Sequence, residues 1–466
     1  MSRPDQPFEP LDKACLASSS QAHGLSNAPT WELTLEGQPD WIHVQSAWHD
    51  LMKIYPWCRA IAVPTSEKGE ASVAWSWRFV ESDTDELAIS QFRYVDLRQA
   101  DAAAIEAHGD AIRDRFLDLE RQPGARLDLA WLPDGRSRLW FQQHHGLADG
   151  RAWIELLARF AELLASARRG EETPATALAA APRRSELDAT GLGPWQRRGL
   201  ALRGLWIYLR GTLRALWRPS TPLLQNRSLD YSGSNRSLHL PLGAEREAAL
   251  RATAKVAGWN LHAALLGAWV LANARWNRAQ GVPCRRLMLS SIVELRPRDG
   301  AFRSFANHLG WALPELDLAA TAALDGDAGR RALCRSLHQQ LRSQTARREP
   351  LARSLFERWP LMALPLVALR RAVCAPQRVV VQLNASNVLA IPIAPFAGDG
   401  FRCEAVRVTT PVAPRYGTLL TATRYGAVAT LNLNFKDSVV TVEQAEELLA
   451  LLDAELDALS SLVDDG

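Results

Sequence analysis

The sequence predicts an α/β protein in two lobes, on three observations. The chain has 466 residues, short strand patterns alternate with amphipathic helix patterns through both halves, and an aperiodic stretch joins the halves. Single cores rarely grow past roughly 250–300 residues, so a chain of this length divides into two lobes of about 200. With 47% apolar and 23% charged residues, the composition is that of a globular protein and excludes disordered, collagen-like and coiled-coil chains.

Residues 41–55 place Val44, Ala47, Trp48, Leu51 and Ile54 on one side at helical spacing, and Tyr55-Pro56 stops that helix. Residues 72–80 alternate Val73, Trp75, Trp77 and Phe79 on one face at period two, a strand pattern, and 101–116 read as a helix. Two short apolar runs, 127–131 and 137–143, flank Pro133-Asp134-Gly135, whose fixed φ and left-handed tolerance suit a hairpin turn. Trp153, Leu156, Leu157, Phe160, Leu163 and Leu164 then recur at i, i+3, i+4, i+7, which leaves 144–150 as a strand-to-helix loop.

Residues 170–193 are rich in Ala, Pro, Thr and Glu without a periodic face and read as the surface connection between lobes. Beyond it the expected elements are a strand at 237–242, helices from Ala244 and over 261–276, and strands at 286–294, 379–393 and 406–410. A hairpin of 417–423 with 427–435 and an amphipathic helix at 443–459 complete the set. The expected organisation is an N-terminal lobe over 1–170, a connection over 171–235 and a C-terminal lobe over 236–466.

Net charge is only +3, from 54 basic and 51 acidic residues, which gives no electrostatic case for a nucleic-acid partner. Only five basic residues are Lys, and the Arg and Ala surplus is expected of a GC-rich bacterial genome. The six cysteines are scattered without a Cys-x-x-Cys pair and read as reduced core thiols. The first 20 residues carry Asp5, Glu9 and Asp12 and no apolar stretch, unlike a secretory signal. The longest apolar runs, 359–369 and 263–272, fall short of the 18 or so residues a membrane span needs. The default expectation is cytoplasmic.

Chemistry concentrates in His144-His145-Gly146-Leu147-Ala148-Asp149-Gly150. Adjacent histidines at a strand end project to opposite sides, so one ring can face a cleft while the other packs. Imidazole titrates near neutrality and suits a general base. Asp149 is positioned to brace the turn, and Gly150 permits a tight backbone where the helix begins.

This stretch resembles the His-His-x-x-x-Asp-Gly signature of the superfamily that includes chloramphenicol acetyltransferase, nonribosomal peptide condensation domains and wax ester synthases. Further resemblances follow in order. Tyr55-Pro56-Trp57-Cys58-Arg59-Ala60 is similar to a helix end of that family, and Phe116-Leu117-Asp118-Leu119 with Ala125-Arg126-Leu127 to the approach to the motif. Glu294-Leu295-Arg296-Pro297 and Asn307-His308-Leu309-Gly310 resemble second-lobe segments, and Ser386-Asn387-Val388 the crossover strand. The resemblance runs from about Trp41 to Leu459.

It implies two chloramphenicol acetyltransferase-like lobes, each a mixed sheet flanked by helices, with an active-site tunnel between them. A thioester donor, on coenzyme A or a phosphopantetheinyl carrier protein, enters one face and a hydroxyl or amine acceptor the other. His145 is implied as general base without an acyl-enzyme, and Asp149 as a structural carboxylate paired with a second-lobe arginine, for which Arg296 is the candidate. His144, Gly150 and Asn307 are supporting residues. No permanently bound cofactor and no metal are implied. The expected activity is acyl transfer, with a hydrophobic acyl chain giving an ester. A freestanding condensation enzyme forming an amide or ester in natural-product biosynthesis, and a catalytically silent module docking carrier proteins, are the alternatives.

Two rival readings use the same loop. His144 and Asp149 also satisfy the His-x-x-x-x-Asp pattern of glycerophospholipid acyltransferases, in which the first histidine is the base. His144, His145 and Asp149 could instead ligate a metal, although adjacent histidines seldom converge on one ion and no further ligand cluster accompanies them. Gly-x-Ser-x-Gly, P-loop and Gly-x-Gly-x-x-Gly motifs are absent from the sequence.

Residues 193–218 carry six Arg, three Trp and Tyr208 without an acid, whereas 441–466 carry eight acids without a base. Arg203, Arg210 and Arg214 share a face, and Leu202, Leu205, Leu209, Leu213 and Leu216 line the other. Such a helix suits peripheral contact with an anionic membrane, an acidic acyl carrier protein, or packing of its leucines on its own protein with the Arg face solvated. Residues 358–371, an apolar run between basic ends with Pro365 inside, are a second such piece.

Overall fold

The computed structural model describes residues 5–20, 26–80, 90–171, 192–228, 230–282, 284–296, 305–318, 326–374, 381–387, 397–398, 401–412 and 416–462. The chain opens with β1 (Gln6–Pro7), α1 (Pro10–Ala17), β2 (Thr30–Gly37), α2 (Trp41–Ile54), β3 (Ala60–Pro64) and β4 (Trp75–Phe79). It continues through β5 (Phe92–Asp96), α3 (Ala102–Arg113), β6 (Ala125–Trp131), β7 (Ser137–Gln143) and α4 (Gly150–Arg168). After α5 (Pro194–Trp217) come β8 (Asn235–Leu242), α6 (Ala244–Val256), α7 (Leu261–Ala279), β9 (Arg286–Glu294), β10 (Leu309–Ala312) and β11 (Glu315–Asp317). Three helices follow, α8 (Asp327–Ala346), α9 (Glu349–Ala363) and α10 (Leu366–Cys374), then β12 (Leu383–Asn387), β13 (Ala397–Gly398), β14 (Phe401–Thr409), β15 (Thr418–Tyr425), β16 (Val428–Lys436) and α11 (Val442–Ser460).

Two mixed sheets organise these elements. One has the order β13-β14-β2-β7-β6-β5, antiparallel except for the β5–β6 pair. The other has the order β10-β9-β12-β15-β16-β8, with β11 also on β9 and β12 parallel to both of its neighbours. A small sheet, β1-β4-β3, stands apart from both. The chain leaves the first sheet at α4 and returns to it late, through β14, which pairs with β2. Ser386 and Asn387 end β12 inside the second sheet; Val388 lies outside the described residues.

Local chemistry accounts for the element ends. Asp40 caps α2 by accepting from the Ile42 amide at 2.9 Å, and Pro56 terminates the helix, as its missing N–H requires. The face carrying Val44, Ala47, Trp48, Leu51 and Ile54 is buried against α4 and the first sheet, with Trp48 edge-on to Phe141 at 5.3 Å between centroids. In the second core, α7 is apolar on nearly every side because it lies between the sheet, α8 and α11.

The strand expected at 72–80 begins only at Trp75, and Val73 is 44% exposed instead of sharing the buried face of Trp75, Trp77 and Phe79. The cause is local: the Ser72 amide closes a turn on the Gly69 carbonyl, so extended pairing starts after it. The helix expected over 101–116 stops at Arg113, where the Asp114 amide closes on the Asp110 carbonyl. Residues 172–191 of the expected connection, and 379–380 and 388–393 of the expected 379–393 strand, lie outside the described residues.

Candidate active site

The β7 strand ends between two others, and that places the adjacent histidines. The His144 amide donates to the Gly124 carbonyl, just before β6, and the His145 amide to the Asn27 carbonyl, just before β2. The rings accordingly diverge. His144 is buried: its Nδ1 accepts from the Gly146 amide at 3.0 Å, so Nε2 carries the proton and donates to Ser19 Oγ at 2.7 Å. Both ring nitrogens are engaged, which leaves His144 no lone pair for a substrate proton and tells against the His-x-x-x-x-Asp reading. A Cβ on Gly146 would lie 3.0 Å from His144 Nδ1, so a side chain there would push the ring by a few tenths of an ångström. Gly150, expected to supply a tight backbone, is an ordinary first residue of α4 without a positive φ.

Burial, with a smaller contribution from His145, lowers the His144 pKa to about 3. An unfolded chain protonates this ring near 6.5, so between those values the unfolded state holds more protons and stability falls as pH drops. From pH 7 to pH 5 the ring costs the fold about 2 kcal/mol. Urea denaturation at the two pH values is expected to show that loss in the wild type and to show it removed in His144→Asn; equal losses in both proteins would contradict the assignment.

His145 is half-buried and meets the segment that leads into β10. Asn307 Nδ2 donates to the His145 backbone carbonyl at 2.8 Å, while its Oδ1 lies 3.1 Å from His145 Nδ1. A carbonyl cannot donate, so the Asn307 end facing it is the NH2, the end facing the ring is the oxygen, and Nδ1 must carry the proton. His145 Nε2 is then a lone-pair acceptor, and no hydrogen bond occupies it among the described residues. The two neighbouring imidazoles are thereby fixed in opposite tautomers. Cys15 of α1 brings its Sγ to 3.9 Å from His145 Nδ1, a contact that no local sequence pattern announces.

Asp149 ties the loop to the second half of the chain. Its Oδ1 caps α4 by accepting from the Ala152 amide at 3.2 Å, and its Oδ2 accepts from Arg296 Nη1 and from the His308 amide, both at 2.8 Å. Arg296 also donates to the Ala306 carbonyl at 2.9 Å and to Glu294 at 3.2 Å. Burial pushes the Asp149 carboxyl up, and the Arg296 charge and these hydrogen bonds outweigh it to hold the pKa below the usual carboxylate range. Phe305, buried between Tyr55 and Trp153 at 5.9 and 5.1 Å between centroids, anchors the same segment. The structure thus brings together His144, His145, Asp149, Arg296 and Asn307; sequence reasoning missed Ser19, Asn27, Cys15 and Phe305.

A separate cavity of about 1360 Å³ lies beneath α5, walled by Trp206, Met288, Trp311, Arg353 and Glu357 among others. Burial raises Glu357 to about 7. Among the described residues none before Trp206 lines this cavity, and His145 does not reach it. The two are linked through the sheet: Trp311 and Asn307 lie on the same segment, at most roughly 13 Å apart at 3.3 Å per residue.

No family model matches the chain, and no curated protein matches it. Solved structures do. The first condensation domain of the calcium-dependent antibiotic synthetase superposes with a TM-score of 0.71 at 15% identity, over 99% of this chain and 97% of that one. Trichothecene 15-O-acetyltransferase from Fusarium sporotrichioides gives 0.69 at 12% identity, over 96% and 94%. The epimerization domain from the third module of tyrocidine synthetase B gives 0.64 at 15%, over 98% and 96%. At these identities the likeness establishes the architecture and leaves the reaction to be argued from the site: the chain has the two-lobed, chloramphenicol acetyltransferase-like fold shared by condensation domains and this acetyltransferase.

Proposed function

We propose that the protein is an acyltransferase that moves an acyl group from a thioester, on coenzyme A or a carrier protein, to a hydroxyl or amine, with His145 as general base. The observation that carries this reading is the Asn307 amide, which bridges the His145 carbonyl and Nδ1 and so presents Nε2 as a proton acceptor. As the acceptor oxygen or nitrogen attacks the thioester carbonyl, Nε2 takes its proton. The tetrahedral intermediate then collapses, the C–S bond breaks, and the imidazolium returns the proton to the departing thiolate. No acyl-enzyme is needed. Base catalysis contributes about 10²- to 10⁴-fold and alignment of the two substrates the remainder.

Asn307 and the Asp149–Arg296 pair act by positioning, since none faces a substrate with a free titrating atom. The apolar part of the wall of the cavity beneath α5, Trp206, Met288 and Trp311, supports a hydrophobic acyl chain, and an ester product follows where the acceptor is an alcohol. The test is thiol release from a panel of acyl-coenzyme A and acyl-carrier donors offered with alcohol and amine acceptors. Release that requires both donor and acceptor is the expected result. A folded protein that releases no thiol from any pair would overturn the proposal in favour of a silent carrier-docking module.

A further inference from the structure

We infer that α5 docks the protein on an anionic lipid bilayer through the side of the helix turned away from the protein, and so presents the cavity beneath it to lipid. The docking stands on its own observations; what enters the cavity rests on the acyl-transfer reading.

The inner side of α5 is identified by contact. A Cβ on Gly204 would lie 2.1 Å from the Ala352 carbonyl oxygen of α9, so only glycine permits that approach, and Tyr208 meets Phe356 at 5.7 Å between centroids. At 100° per residue, Trp195, Leu202, Trp206, Leu209, Leu213 and Trp217 fall in an arc of roughly 100° on the opposite side. They are exposed: Leu202 by 60%, Leu209 by 46%, Leu213 by 56% and Trp217 by 84%. Leu202, Leu209, Leu213 and Leu216, which one sequence-based reading would have packed on the protein, are therefore outside, and α5 is apolar towards solvent along its whole length. No helix among the described residues is long and apolar enough to cross a membrane, which leaves an in-plane contact.

Charge selects the occupant. Arg203 and Arg210 border the stripe on one edge and Arg198 lies over the Trp195 ring at 5.0 Å, with no acid anywhere in residues 193–218. Leucines between terminal tryptophans, rimmed by arginine, match the interface of an anionic bilayer, where the rings sit at headgroup level and the guanidinium groups meet phosphate. An acidic carrier protein, or the acidic 441–466 stretch of a second copy, complements the arginines and leaves the apolar stripe wet.

The same helix closes the cavity. Trp206, Arg210 and Arg214 line it from α5, and Met288, Ser290 and Trp311 line it from β9 and β10, the strand pair that runs on to Glu294, Arg296 and Asn307. Trp206, Arg210 and Arg214 lie on the flank of α5 next to the outer stripe, so docking brings that flank, and the cavity it borders, beside the bilayer.

The test is flotation of the purified full chain with phosphatidylcholine vesicles and with vesicles containing 30 mol% phosphatidylglycerol (about a third of the lipid, enough for a strong surface potential). Binding is expected to the anionic vesicles alone and to fall at least about 100-fold in L209E/L213E, each leucine being worth about tenfold or more. Neither residue lines the cavity, and circular dichroism is to establish that the variant folds. No binding by the wild type, or equal binding by L209E/L213E, would overturn the inference. So would a wild-type dimer that L209E/L213E converts to monomer, or capture by an acidic carrier protein that only L209E/L213E loses. His145→Ala is to float like the wild type. In the wild type, docking without thiol release would sink the acyl-transfer reading alone, and thiol release without docking would sink this one alone.

Discussion

Arg296→Ala is expected to lower the free energy of unfolding by about 3–5 kcal/mol at pH 7. The substitution leaves the Asp149 carboxylate, 1% exposed, with only the His308 and Ala152 amides, and it leaves the Ala306 carbonyl with only its longer donor, the Asp149 amide at 3.4 Å. Burial is the largest influence on Asp149 and acts upward; Arg296 is the largest influence acting downward. Without the arginine the folded-state pKa of Asp149 rises above its unfolded value. A group of that kind is stabilising below its unfolded pKa and loses that contribution as pH rises through the folded one, so the deficit is greatest at neutral pH and shrinks on acidification. Urea denaturation at pH 7 and pH 4.5 reads both features. The double variant Asp149→Ala/Arg296→Ala is expected to lose less than the sum of the singles, since neither charge is then left unpaired in the core. A loss under about 1 kcal/mol with no pH dependence would mean that the pair is replaceable by solvent.

This pair also marks how far sequence reading reaches. The motif loop was legible because two short apolar runs around a Pro-Asp-Gly turn before it and a 3.6-residue period after it bracket seven residues, and its divergent histidines follow from strand-end geometry. Arg296 was nameable only through the resemblance, since 147 residues separate it from Asp149 and no periodicity spans that interval. Cys15, Ser19 and Asn27 were invisible for a related reason: Asn27 reaches the site because β2 and β7 are neighbours in the sheet, a pairing that neither strand's own pattern encodes, and its side chain donates to the Cys15 carbonyl at 3.3 Å. The return of β14 to the first sheet has the same origin, its alternation fitting a buried strand in either sheet. Of the three readings open for α5, packing of its leucines on the protein is the one that the structure overturns, because the inner side is made by Gly204 and Ala201, residues too small to register as hydrophobic.

His145→Ala is expected to lower kcat by about 10²- to 10⁴-fold with thioester KM and unfolding free energy little changed. The ring is half-buried, and its Nε2 takes part in no hydrogen bond among the described residues, so its loss removes little packing. His144→Ala is to behave oppositely, weakening the fold through the lost Ser19 and Gly146 contacts while the surviving folded fraction turns over. Rescue separates chemistry from structure: added imidazole can fill the space left in His145→Ala and accept the same proton, whereas it has no reason to restore a misfolded loop. Asn307 is the discriminating control. Asn307→Asp keeps an oxygen on Nδ1 and loses the donation to the His145 carbonyl; Asn307→Leu keeps the bulk and loses both. The expected order in kcat is wild type, Asn307→Asp, Asn307→Leu, with KM nearly constant, because only the ring's tautomer and aim are disturbed. If Asn307→Leu matched the wild type in kcat, the amide would be dispensable for the chemistry, and the assignment of Nε2 as the base through this bridge would fall.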